Sequence, residues 1–325
     1  MAGTAQDPFA AGGTAWPVAT CGRSAGVPRL RRMEWQGGRR SDNVDDVGRG
    51  GGLGRPLAFG GGAVGIIGAI LYYLLTGQVP DVQQGQGQVQ PQVQAQRPRT
   101  AAEQQQQEFV SVILASTEDT WSAVLPQQGR VDYLPPRLTL FQDTVESACG
   151  FAQAAMGPFY CPPDQRVYLD IAFFEQLSRM GAPGEFARAY VIAHEVGHHV
   201  QNLLGIERRV TQLRRSFGSR ADSNALSVLT ELQADCYAGV WAHHANANHK
   251  SSVKEQLIQP SDIDSGLAAA ASVGDDRLQR QSRGYVVPES FTHGSSALRV
   301  QWFKTGMQTG ELRACDTFGK AGVRL

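Results

Sequence analysis

Residues 189–201 read Ala-Tyr-Val-Ile-Ala-His-Glu-Val-Gly-His-His-Val-Gln, and residues 231–235 read Glu-Leu-Gln-Ala-Asp. The first run predicts a helix opened by Gly184 and closed by Gly205. On it His194 and His198 stand four apart, so both imidazoles share one face and can reach one metal ion. Glu195 projects beside that ion, where its carboxylate can take a proton from a water held there. Unpaired His and Glu would be costly among so many apolar neighbours, which favours a ligand role over a solvated helix face. Gly197 costs about 1 kcal/mol relative to Ala in a helix, and its missing side chain lets a backbone or a substrate approach the metal.

A catalytic zinc takes three protein ligands and keeps one position open. Glu231, Asp235, His243, His244 and His293 are the candidates for the third ligand. The extended pattern with a glycine and a third histidine soon after the motif fails, because Gln201 and Leu204 occupy those places. Glu231 fits best. A second long helix, capped at Ser223 and running to about Ala245, can return antiparallel and present it, with Asp235 one turn on. Asp235 can then accept a hydrogen bond from a ligand histidine, fixing its tautomer and raising its basicity. His199 is rotated about 100° from His198 and reads as a packing residue. The His243-His244 pair reads as a helix C-terminal charge feature. His293, in the loop-like run Phe291–Ser296, is the candidate donor to a developing oxyanion, with Tyr285 the weaker one and a structural role for His293 the competing reading.

The rest of the 325-residue chain divides by composition. Thirty basic residues balance 30 acidic ones, which argues against nucleic acid as a partner. Residues 1–56 are rich in Gly and Arg without apolar periodicity and read as a disordered cytoplasmic tail; residues 1–32 read either as part of it or as an extension upstream of a start at Met33. Leu57 to Leu75 is uncharged and apolar, about the length that spans a bilayer core, so residues 57–76 read as a transmembrane signal anchor. Arg39, Arg40, Arg49 and Arg55 precede it and no Lys or Arg follows before Arg97, which puts the N-terminus in the cytoplasm and the remainder outside. Residues 77–107 are dominated by Gln, Pro, Val and Gly and read as a flexible linker reaching on the order of 30 Å. Residues 108–325 form the folded domain, mainly helical with strands near 138–141 and 167–171, hence α+β. Cys149, Cys161, Cys236 and Cys315 all follow the apolar run, and four cysteines on an oxidising side suggest two disulfides. Cys149–Cys161 by proximity and Cys236–Cys315 by remainder is one of three pairings; free buried thiols are the alternative.

Five stretches together resemble the bacterial neutral zinc metallopeptidase family: Met156–Pro162, Val167–Asp170, Ala189–Gln201, Glu231–Cys236 and Phe291–Ser295. The likeness runs from Met33 to the C-terminus. It implies a zincin-like fold and a single-pass membrane anchor, and says little about substrate.

The expected chemistry follows. Zn²⁺ on His194, His198 and Glu231 activates water, Glu195 is the general base, and His293 holds the oxyanion. An edge strand near Val167–Ile171 aligns an extended peptide or protein substrate by backbone pairing. Two alternatives stay open: a zinc-stabilised, non-catalytic binding module with a fourth ligand such as His243 or His293, and an amidase or endopeptidase of peptidoglycan, since the same water chemistry serves any amide.

Overall fold

The computed structural model describes residues 33–49, 99–153, 157–248 and 256–325. Helices dominate them and the sheet is small, as an α+β chain requires. Numbering elements in chain order among those residues, helix α1 spans Ala101–Val124. Thr100 caps it: its hydroxyl accepts from the Glu103 N–H, and the Glu103 carboxylate accepts from the Thr100 N–H. The helix thus starts at Ala101 rather than near Glu108, and Gln104–Gln107 belong to it rather than to a flexible linker. Gln and Ala are good helix formers, and the cap decides where they begin to act as such.

Strands β1 (Val44–Arg49), β2 (Arg137–Gln142), β5 (Phe159–Cys161) and β6 (Arg166–Asp170) make one sheet in the order β1-β2-β6-β5. The first three in that order are parallel, and β5 runs antiparallel to β6. Strand β6, expected to be an edge, is therefore interior; β5 is the edge on that side. Strands β3 (Thr144–Ser147) and β4 (Gly150–Gln153) form a separate hairpin, tied to β5 by the Cys149–Cys161 disulfide.

The largest departure from expectation is at the N-terminal side. Residues 33–49 are not a disordered tail. Met33 and Trp35 are buried in the main core, with Trp35 edge-on to Phe109 and its indole N–H donating to Glu185. The Ser41 N–H donates to the Ser111 carbonyl of α1, and the Ser111 hydroxyl donates back to the Ser41 carbonyl. The buried Glu118 carboxylate collects the Ser41 hydroxyl, the Asn43 amide and the Arg39 guanidinium. Only two large apolar side chains of this segment enter the core; polar pairs with distant partners hold the rest, so no apolar period betrays it. Strand β1 then adds to β2, with Asp45 bridging Arg137 and Arg166.

This ladder has a topological consequence. Strand β1 precedes the apolar run 57–75 and β2 follows it, yet the two are hydrogen-bonded neighbours. Residues 33–49 and the domain therefore lie on the same side of any membrane, and a cytoplasmic placement of these residues is incompatible with a domain outside. The expected anchor over 57–76 and residues 1–32 lie outside the described residues. Among the described residues, no helix is long and apolar enough to cross a membrane.

Three helices build the floor of the site: α3 (Glu185–Leu203), α5 (Arg220–Asn248) and α8 (Ser296–Thr309). Between them in the chain lie α4 (Ile206–Ser216), α6 (Ile263–Ser272) and α7 (Asp275–Arg283); α2 (Phe173–Arg179) precedes α3. Helix α5 begins at Arg220, earlier than Ser223, because the Ser219 hydroxyl accepts from the Asp222 N–H. Helices α5 and α8 cross in backbone contact. A Cβ on Gly239 would stand 2.1 Å from the Phe303 carbonyl oxygen, and one on Gly306 would stand 1.9 Å from that of Cys236. Only glycine permits this approach, and it carries α8 close enough to α5 for their side chains to meet at the site. The second disulfide, Cys236–Cys315, ties α5 to the C-terminal segment. Both pairings agree with the expectation from the sequence.

Candidate metal centre

Helix α3 buries nearly every residue from Phe186 to Gln201, so its functional groups are held among apolar neighbours. Gly197 serves the approach of a backbone: a Cβ there would lie 3.0 Å from the Ala234 carbonyl oxygen of α5. With the two helices this close, Glu231 faces the two histidines. One ligand atom from each of His194, His198 and Glu231 lies within 4.8 Å of the other two. His194 Nε2 is 3.2 Å from one Glu231 oxygen, and His198 Nε2 is 3.5 Å from the other.

The opposite ring nitrogens are occupied. His194 Nδ1 is 2.9 Å from Asp235 Oδ1, the contact expected from the sequence. His198 Nδ1 is 2.9 Å from Gln201 Oε1, a partner the sequence reading did not single out. Asp235 and the Gln201 amide oxygen accept from the Nδ1–H groups, so Nε2 of each ring faces the space shared with Glu231, where a metal would take the place of any proton it carries.

Arg299 of α8 was also missed. Its Nε and Nη2 grip the two Asp235 oxygens at 2.8 and 2.9 Å, and Nη2 lies 3.3 Å from the Tyr190 hydroxyl. Tyr190, one turn before His194, itself donates to Asp235. Arg299 is 3 % exposed and Asp235 fully buried, a pairing that alone makes either charge tolerable there. The available signal was a lone arginine beside Val300, Trp302 and Phe303, which a one-dimensional reading cannot aim.

The site's electrostatics follow from burial and these partners. Burial works against charge on His194, but Asp235 and Glu231 push its pKa up to about 9. Burial opposes charge on Glu231 as well, and the facing histidines overcome it, holding the carboxylate well below its usual range. Burial lowers His198 and takes His199 down to about 4. His199 points away from the cluster, to the Tyr160 hydroxyl and the Leu134 carbonyl, and is the packing residue expected.

Glu195 is buried, and desolvation raises its pKa to about 7. The backbone N–H of Tyr160 in edge strand β5 donates to it, while its Oε2 has no protein partner among the described residues. An orphaned buried carboxylate oxygen beside two preset imidazoles and a depressed carboxylate is a donor set that fits a divalent cation with an attendant water.

The other candidates separate cleanly. His243 and His244 contact the Met307 and Gly310 carbonyls at the end of α8, so neither belongs to the cluster. Tyr285 is exposed. His293 is buried and lies within electrostatic reach of Glu231, although it is not part of the three-ligand group. Asp275 holds the His293 loop: one oxygen accepts from the Thr292, His293 and Gly294 N–H groups at 2.8, 2.6 and 3.0 Å, and the other lies 3.3 Å from His293 Nδ1.

Residues 33–318 match the family model described as "Putative neutral zinc metallopeptidase". The chain belongs to this family. It is 43 % identical over 305 residues to the uncharacterized protein YpfJ of Escherichia coli K12, covering 89 % of this chain and all of that protein. It is 45 % identical over 213 residues to the uncharacterized protein Rv2575 of Mycobacterium tuberculosis, covering 64 % of this chain and 69 % of that one, and equally to Mb2605 of Mycobacterium bovis. No solved structure matches. The family match begins at Met33, the first of the described residues.

Proposed function

We propose that this member of the zinc metallopeptidase family hydrolyses peptide bonds, with His194, His198 and Glu231 as the zinc ligands and Glu195 as the general base. The observation that carries the reading is the buried Glu195 carboxylate, one oxygen of which has no protein partner, beside a cluster with only three candidate ligands among the described residues. A closed structural site would offer a fourth. Zinc bound there would lower the pKa of its water to about 7 and polarise the scissile carbonyl. Glu195 then accepts the proton of the attacking water and delivers it to the leaving amine. His293, braced by Asp275, would donate to the oxyanion. Edge strand β5, which already touches Glu195 through the Tyr160 N–H, offers its free side to an extended peptide.

The test is cleavage of a quenched peptide pool by the full-length protein loaded with zinc, beside its Glu195→Gln variant. The variant should keep stoichiometric zinc and lose turnover by about 100- to 10 000-fold. Equal turnover by both removes Glu195 from the mechanism. Cleavage of peptidoglycan cross-links but not of peptides would select the cell-wall amidase reading.

We place the domain outside the cytoplasm. Two disulfides join the four cysteines after the apolar run, and such bonds persist in oxidising compartments. In a Cys21→Ser background, single cysteines at exposed positions 42 and 320 should both react with a membrane-impermeant maleimide in intact cells. Labelling at 320 alone would break the common-side arrangement, and labelling at neither would place the domain inside.

A further inference from the structure

We infer that Gln201 and Gln233 are positioning residues that, anchored by the Thr230 and Cys315 carbonyls, fix the hydrogen-bonding sense presented to His198, so that zinc affinity is strengthened by the Cys236–Cys315 disulfide. This rests on the metal reading above and deepens it.

The geometry is a relay of four groups. Gln233 Nε2 donates to the Cys315 carbonyl at 3.0 Å. Gln201 Nε2 donates to Gln233 Oε1 at 3.0 Å and to the Thr230 carbonyl at 2.8 Å. Gln201 Oε1 faces His198 Nδ1 at 2.9 Å. Both amides are buried, so no bulk water competes for these bonds. An amide can be turned end for end at little internal cost, and an isolated glutamine would leave the His198 tautomer undecided. Here it cannot turn. Both backbone carbonyls, of Thr230 and Cys315, only accept, which forces both Nε2 groups toward them and both Oε1 groups the other way. The last Oε1 in line must then receive a proton from His198, and the Nε2 lone pair of His198 is left for the metal.

The Cys315 carbonyl sits in a segment fastened to α5 in two places. One is the Cys236–Cys315 bond, and the other is the Thr317 hydroxyl donating to the Leu229 carbonyl. Cys236 directly follows Asp235, the partner of His194, so the same bond also abuts the other ligand's support. The two half-cystines are 79 residues apart, and without the bond a distant stretch of chain must be held by packing and single hydrogen bonds. The first disulfide, Cys149–Cys161, joins the β-hairpin to β5 and has no part in the relay, which makes it an internal control.

The experiment measures zinc affinity by chelator competition on the full-length protein, with the His198 imidazole followed by long-range ¹H–¹⁵N NMR. Gln233→Met keeps the length of the side chain while removing both amide functions. With only the Thr230 carbonyl left to hold Gln201, it should bind zinc about 10-fold more weakly and show a mixed rather than a single Nδ1–H signature for His198, with helix content unchanged. The double variant Cys236→Ser/Cys315→Ser should weaken zinc to a similar extent, and Cys149→Ser/Cys161→Ser should not. Parent-like zinc affinity and tautomer in Gln233→Met overturn the relay, whatever the cysteine variants do. Equal weakening by the two cysteine doubles overturns the specific role of Cys236–Cys315. Absence of zinc binding by the parent overturns the metal reading itself, an outcome distinct from both.

Discussion

The two candidate histidine ligands are supported in opposite ways. His194 leans on Asp235, whose charge is matched by the bidentate Arg299 and by the Tyr190 hydroxyl. His198 leans on a line of neutral amides ending at a backbone carbonyl. Against burial, Asp235 together with Glu231 brings the His194 pKa up to about 9, and the charged support must be kept complete because a lone buried charge is costly. The amide support sets direction without adding charge, and burial keeps the His198 pKa low. A site that already holds Glu195, Glu231 and Asp235 gains from having one neutral flank.

The comparison can be broken first at Arg299. Arg299→Met strips Asp235 of its bidentate guanidinium partner and should cost about 3–5 kcal/mol in urea unfolding of the metal-free protein. Arg299→Lys should rescue little, since a point charge cannot span both carboxylate oxygens. Adding Asp235→Leu to Arg299→Met should recover most of the stability but not the zinc affinity, separating the pair's effect on folding from its effect on His194. If Arg299→Met is no worse than Gln233→Met, the contrast between the two flanks is wrong. The amide variant should cost less, about 1–3 kcal/mol for the buried groups left unpaired.

The smallest effect sharpens the contrast by moving to a partly exposed pair. A hydrogen bond from Arg137, assisted by Arg166, lowers the Asp45 pKa from 3.8 to about 2. Its folded value lies below its unfolded one, so the pair's stabilisation is complete above pH 3.8 and disappears as pH falls through about 2. Solvent screening limits it to under about 1 kcal/mol. Unfolding of the parent and of Asp45→Asn between pH 5 and 2 should converge at the acid end, and added salt should narrow the gap at pH 5. A gap that survives at pH 2 would show that Asp45 acts through packing of β1 rather than through charge.

Legibility differed sharply along the chain. The α3 helix and its three chemical residues could be read because spacing of four residues is a local property with a fixed geometric meaning. Glu231 and Asp235 followed from the same rule on α5, given only that the two helices pack. The strands near 138–141 and 167–171 emerged as β2 and β6, but which one lies at an edge is a matter of pairing, and β5 took that place. Residues 33–49 were misread because their partners on α1 and β2 are remote in sequence, and their Gly, Arg, Ser and Asn content carries no period.

By itself the sequence determined the α+β class, the grouping of His194, His198 and Glu231, and the family, since each is encoded by residue type at short separation. Tertiary structure alone decided that Arg299 meets Asp235, that Gln233 and Cys315 stand behind His198, and that the segment before the apolar run shares a sheet with the domain after it. Those contacts join positions far apart in the chain. They form only because glycine-mediated helix crossing and strand pairing close distances that no local pattern specifies.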